Sequence, residues 1–241
     1  MRYFLTSSPF GVGSPYLNPD NGFLEALEGA LSRRSAALFV CADPNRHAFT
    51  DHIAGDMENA LEHAGFSFSS FRILDGRNGE QAEELVKEAD LMVLAGGHVP
   101  TQNAFFQAIG LKQCLKRFDG ALIGISAGTM NCCDPVYAQP EEQGEATDPA
   151  YRRFLPGLGV TKTMLLPHYQ MVKDSLVDGL RLFPDITIPD SRGRTFYAVP
   201  DGSYLLGHGG IETLYGEAHR IRDGKMEQIC WKNEAYPLTG G

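Results

Sequence analysis

A chain of 241 residues, 43% hydrophobic and 21% charged, has the length for one large domain or two small ones and the composition of a globular protein with a substantial core. Its formal net charge of -9 argues against a nucleic-acid backbone or an anionic membrane surface as partner, because both call for a basic face. No apolar run approaches the roughly 18 residues of a membrane span, and "MRYFLTSSPF" is too polar for a signal peptide.

In chain order, "RYFLTS" reads as a short buried strand and "GFLEALEGALS" as a helix with apolar spacing of three and four. "AALFVCA" (36–42) is an apolar run of strand length, and "HAFTDHIAGDMENALEHAG" a second amphipathic helix. A strand "FSFSSFRIL", a helix "EQAEELVKEAD", a buried strand "LMVLAGG" (91–97), a helix "TQNAFFQAIGLKQCLKRF" and a strand "ALIGIS" (121–126) follow. Strands that are apolar throughout are buried on both faces of a parallel sheet. The alternation therefore predicts a three-layer, doubly wound α/β fold with a mostly parallel sheet, whose ligands gather at the carboxyl ends of the strands.

Beyond Asn131 the texture changes. "CDPVYAQPEEQGEATDPAYRRFLPGLG" is rich in Pro, Gly and acids, and predicts a long surface excursion beside the site. Then come "KTMLLPH", a helix "DSLVDGLRLFP", strands "RTFYAVPD" and "SYLLGH", and a C-terminal β-hairpin turning at "RDGK" (222–225). No repeat or linker divides the chain, so residues 1–241 are read as one domain.

The stretch Gly124-Ile125-Ser126-Ala127-Gly128 fits G-x-S-x-G, the strand-to-helix elbow that holds a nucleophilic serine in a strained conformation with its hydroxyl exposed. In a chain with 27 glycines the pattern also arises as an ordinary turn; the predicted strand before it and helix after it favour the nucleophile. A serine needs a base. Of seven histidines, His47, His52 and His63 fall on or beside an exposed helix. His98 follows "AGG" at a strand end, where it would touch substrate, and His168 ends "TMLLPH", where a proline stops the strand and presents the imidazole. "YAVPDG" presents Asp201 with the same punctuation, so "LLPH" and "AVPD" deliver a base and an orienting acid from two strand ends. Asp190 and Glu212 are further candidate acids. The order Ser-His-Asp differs from the Ser-Asp/Glu-His of α/β-hydrolases, whose reading would need Asp190 or Asp201 followed by His208 or His219.

"LAGGHVPTQNAFF", "IGISAGTMNCC", "LLPHY" and "VPDGSYLL", in this order, resemble the aspartyl dipeptidase (peptidase E) and cyanophycinase family of serine peptidases, whose fold is like that of class I glutamine amidotransferases. The resemblance covers most of the chain. It implies Ser126 as nucleophile, His168 as general base and Asp201 as the third member, where the dipeptidase has glutamate. It also implies the backbone N–H groups of Gly97 and Ala127 as the oxyanion hole. Where the family often has Gly-Gly-Asn/Asp-Thr, this chain has Gly96-Gly97-His98-Val99-Pro100, which puts His98 and Gln102 at the substrate. Tyr169, Lys173, Arg192 and Arg194 are further candidate substrate contacts, the cations (with Arg181) as partners of an aspartyl side chain.

The expected activity is hydrolysis of short peptides, including dipeptides with an N-terminal aspartate, by a cytoplasmic monomer or homodimer without cofactor or metal. The five scattered cysteines, Cys41, Cys114, Cys132, Cys133 and Cys230, contain no C-x-x-C pair for zinc and fit a reducing compartment. Three alternatives stand beside this: a non-catalytic binder of a small molecule on the same fold, an α/β-hydrolase-type esterase, and amidotransferase-like chemistry on Cys132 or Cys133.

Overall fold

The computed structural model describes residues 1–11 and 13–238. Its elements are β1 (Arg2–Thr6), α1 (Phe23–Glu28), β2 (Ala36–Val40), α2 (His47–His63), β3 (Ser70–Leu74), α3 (Ala82–Glu88), β4 (Leu91–Leu94), α4 (Val99–Ala108), α5 (Leu111–Leu115), β5 (Ala121–Ile125) and α6 (Ala127–Asn131). Then follow β6 (Val136–Tyr137), β7 (Phe154–Leu155), β8 (Met164–Leu166), α7 (Tyr169–Val172), β9 (Leu176–Val177), β10 (Leu180–Arg181), α8 (Ile188–Asp190), β11 (Thr195–Ala198), β12 (Tyr204–His208), β13 (Ile211–Tyr215), β14 (Ala218–Arg222), β15 (Lys225–Cys230) and β16 (Ala235–Leu238).

The alternating first half produces the parallel part of an eight-stranded sheet, ordered β16-β13-β12-β1-β5-β4-β2-β3. β1, β5, β4, β2 and β3 run parallel, and the β12, β13 and β16 edge is antiparallel. The four residues of β4 are fully buried, as a strand covered on both faces must be. One apolar cluster packs α1 and α2 against one face through Phe23, Leu27, Met57 and Leu61. Another packs α3, α4 and α5 against the opposite face through Leu85, Val86, Phe106 and Leu115. This is the predicted three-layer α/β fold.

A second sheet, β15-β14-β11-β8, stands beside the first. Here the structure departs from the sequence reading. The Asp223-Gly224 turn does join β14 to β15, with both residues at positive φ, but the hairpin belongs to the second sheet, and the chain returns through β16 to the first. The expected helix over "DSLVDGLRLFP" is instead a tight hairpin of β9 and β10, followed by a helical turn over 182–187. Asp178-Gly179, both at positive φ, make its turn, and this local turn chemistry outweighs the apolar spacing. The expected helix over 101–118 breaks at Gly110, where φ is 64°. The surface excursion is only partly on the surface: Val136 to Pro140 are buried, β6 pairs with β7, and the exposed tip begins at Glu141. Among the described residues, no helix is long and apolar enough to cross a membrane.

Candidate active site

Four strands end at one place. β5 runs into Ser126, whose φ of 49° and ψ of -112° lie outside the ordinary regions for an L-residue. The flanking glycines make this elbow possible. A Cβ on Gly128 would come within 2.3 Å of the Leu94 carbonyl oxygen, and one on Gly124 within 2.9 Å of the Thr129 backbone. Helix α6 can therefore start hard against β4 and β5 only because both positions lack a side chain. Ala127 and Gly128 are buried while Ser126 itself keeps some exposure.

β8 delivers His168 through Pro167, and β11 delivers Asp201 through Pro200. His168 is in the left-handed region (φ 58°, ψ 28°), and its Nδ1 lies 2.8 Å from Asp201 Oδ1. With Nδ1–H donating to the carboxylate, Nε2 carries the lone pair and is the basic nitrogen. Burial opposes ionisation of Asp201, but hydrogen bonds from His168, Ser7 and Gln170 together outweigh it and hold its carboxyl below the usual aspartate range. Asp201 thus stays charged and fixes the tautomer. Among the described residues no hydrogen bond joins Ser126 Oγ to His168; such contacts often tighten only when substrate arrives.

Ser7, just past β1, was missed by sequence reasoning. It is fully buried, donates to Asp201 Oδ1 at 2.6 Å and accepts the His168 backbone N–H at 2.7 Å. Gln170 completes the support, donating its amide to Asp201 Oδ2 at 2.7 Å and accepting the Asp201 backbone N–H at 3.1 Å. The only sequence sign of Ser7 is that it follows a buried strand, as the other site residues do.

β4 ends at Gly96-Gly97. A Cβ on Gly96 would approach Ser126 Cβ to 3.3 Å, so this turn lies directly against the serine. The Gly97 N–H and the Ala127 N–H, first of α6, have no internal acceptor among the described residues. A cleft of about 270 Å³ opens here, lined by Gly96, Gly97, His98, Asp43, Arg46 and Glu142 among others. Arg46 lies over the Phe49 ring, 4.5 Å from its centroid.

The tip of the excursion folds over this cleft. His98 Nε2 meets Glu145 Oε1 at 2.7 Å, and Nδ1 meets Thr101 Oγ1 at 2.8 Å. Glu145 Oε2 in turn accepts the backbone N–H groups of Glu141 and Glu142. These bonds pin the tip. Glu141 keeps a face open to solvent, yet protein surrounds its other sides. That desolvation pushes its carboxyl up to about 7, with Glu145 and Glu142 adding to the shift and His98 and His168 opposing it. The ligand atoms of His98, Glu142 and Glu145 lie within 4.8 Å of one another.

The other candidates make different contacts. Gln102 is fully buried, donating to Ala95 O at 2.7 Å and accepting from Asn131 at 3.0 Å, so it ties α4 to its neighbours and has no group left for substrate. Arg192 and Arg194 precede β11 and stand at the end of that strand opposite Asp201, with Arg194 over the Phe154 ring. Arg181 is held by Asp185. Lys173 is exposed beside Asp174, and Tyr169 packs against Phe183 and His219. Asp190 is engaged by Tyr137 and Arg153, Glu212 by hydroxyls, and His208 by the Met1 carbonyl, so none builds an alternative triad. Burial pushes the Cys133 thiol up to about 12 and raises Cys132 as well, which leaves neither a reactive thiolate.

The family model of Peptidase family S51 matches residues 4–210. The chain belongs to peptidase family S51. The match includes Ser126, His168 and Asp201 and nearly the whole fold, and it makes the protein a member of a peptidase family. Two solved structures share the S51 member's architecture. A peptidase from an acI-B1 Actinobacterium has a TM-score of 0.71 at 16% identity, over 98% of this chain and 96% of that one. A putative peptidase E protein from Listeria monocytogenes EGD-e has a TM-score of 0.54 at 15% identity, over 95% and 98%. No curated protein matches the chain.

Proposed function

We propose that this S51 member is a serine exopeptidase that releases the N-terminal residue of short peptides, dipeptides included, through an acyl-enzyme on Ser126. The observation that carries this reading is the His168–Asp201 pair, bonded at 2.8 Å, at the same strand ends as the strained Ser126 elbow. Ser126 Oγ attacks the scissile carbonyl as His168 Nε2 takes its proton. The Gly97 and Ala127 N–H groups bind the oxyanion, each such donor being worth about 2.7–4 kcal/mol in the transition state. The leaving amine then takes the proton from His168, and water, activated by the same nitrogen, releases the acid and regenerates the serine.

The excursion tip supplies the preference for a chain end. Glu141 is a desolvated carboxyl among acids, which a substrate α-ammonium would relieve. Arg46 is the cation at the cleft, and its planar guanidinium suits an aspartyl side chain. It replaces Lys173, Arg192 and Arg194 in the acid-recognition reading.

The test compares Asp-Leu, Leu-Leu and N-acetyl-Asp-Leu. Wild type should cleave the free dipeptides, prefer Asp-Leu, discriminate against the acetylated one and react with a fluorophosphonate. Ser126→Ala should lose all hydrolysis and labelling while keeping its circular dichroism spectrum. Full activity in Ser126→Ala would overturn the nucleophile. Equal cleavage of the acetylated peptide would overturn the exopeptidase assignment while sparing the triad.

A further inference from the structure

A cavity of about 760 Å³ lies away from the catalytic strand ends. It opens between the two sheets, at the starts of β8 and β11. Thr195 lies in its wall and Asp201 six residues further along, about 20 Å at the rise of an extended chain. Four cations line it (Lys162, Arg194, Arg220 and Arg222) against one acid, Glu212. For a chain of net charge -9 that is a local reversal of sign.

The arrangement follows from strand register. Arg220 and Arg222 are two apart on β14 and so share a face, opposite Tyr197 and Thr195 of β11. From the other sheet, Tyr3 reaches Glu212 across β12. A Cβ on Gly207 would sit 2.0 Å from the Tyr3 ring, so the glycine is what lets the phenol pass and bond Glu212 Oε1 at 2.7 Å. Thr161 and Thr163 donate to the same carboxylate. Glu212 is therefore satisfied by three hydroxyls and, among the described residues, pairs with none of the four cations.

The cations keep free donors. Lys162 and Arg194 have no ion pair among the described residues, and Arg194 lies over Phe154 with its guanidinium carbon 4.2 Å from the ring centroid. Arg222 Nε lies 3.4 Å from Asp223, and among the described residues its terminal nitrogens make no hydrogen bond. Arg220 gives Nε and Nη2 to Glu227 and keeps Nη1. These exposed pairs contribute little and compete weakly with a bound anion. Tyr197 and Tyr236 add apolar surface between the charges.

We propose that this cavity is a binding site, separate from the catalytic centre, for a small organic polyanion bearing carboxylate or phosphate groups. Planar guanidinium forks match both kinds of oxyanion, and the tyrosines accommodate an apolar body.

Calorimetric titration of the full chain with citrate and with pyrophosphate, at ionic strength held constant with sodium chloride, tests this. At least one anion should bind with one-to-one saturation below about 1 mM, and Ser126→Ala should bind it equally well. The double variant Lys162→Gln/Arg222→Gln, which alters two exposed side chains, should bind at least tenfold more weakly with an unchanged melting curve. Citrate alone or pyrophosphate alone would identify the oxyanion. No saturable binding by either, equal binding by the double variant, or loss of binding in Ser126→Ala would each overturn the proposal.

Discussion

Ser7 does two jobs with one oxygen. It donates to Asp201 and accepts from the His168 backbone, and so holds both the acid and the strained residue that carries the base. A left-handed non-glycine conformation persists only where its surroundings fix it, and for His168 that fixing is the Ser7 contact together with the Tyr169 N–H bond to Val199 O. Ser7→Ala removes a hydrogen bond to a charged group, worth about 1.5–3 kcal/mol. We expect kcat to fall by roughly ten- to a hundredfold on this account, with KM little changed, because Ser7 touches no substrate. Steady-state kinetics on a cleaved dipeptide would show it. An unchanged kcat would mean that His168 and Asp201 hold their geometry unaided.

At the scale of elements, the site was legible where a local rule operates. An apolar run closed by glycine or proline marks a strand end, and Gly97, Ser126, His168 and Asp201 each follow one. The second sheet's strand order, the β9–β10 hairpin and the burial of residues 136–140 were not legible, because each depends on what the segment meets across the fold. Ser7 and Asp201 are 194 residues apart, a distance that no pattern of spacing reveals. Glu141 belongs to the same class: its backbone N–H is held by Glu145, which in turn pairs with His98. Its carboxyl, raised to about 7, gives the excursion a pH signature. The ratio of kcat/KM for a free dipeptide to that for its N-acetyl form cancels whatever pH dependence the two reactions share. It should rise with pH through about 7 as Glu141 ionises, and fall again near pH 8 as the substrate ammonium deprotonates. Glu141→Gln should abolish the rising limb. The sign for stability is opposite: a carboxyl with a raised folded-state pKa costs the fold more as pH climbs from the ordinary glutamate range to about 7. Thermal melts should therefore show Glu141→Gln gaining on wild type across that window.

Over the whole molecule, one apolar cluster spans both sheets. It joins Leu165 and Val199, at the second sheet, to Leu5, Leu122 and Leu205 of the first. This shared cluster ties the sheets together, although the first sheet also packs a cluster under α1 and α2 and the second sheet another around Leu166, Phe196 and Ile221. We accordingly propose a single domain and expect one cooperative thermal transition, with circular dichroism and loss of fluorophosphonate labelling superimposed. Two separated transitions would divide the chain.

β1 lies between β5 and β12. Its last residue receives the Ser126 N–H and the Thr129 hydroxyl on one carbonyl, and Ser7 follows at once. The strand precedes its antiparallel partner Tyr204–His208 by some two hundred residues. Pairings that distant close late in folding. A nascent chain can thus form the serine elbow long before it owns a positioned base. Peptide hydrolysis would switch on only when the ribosome has released the far edge of the sheet, which makes catalytic competence itself a reporter of completed folding.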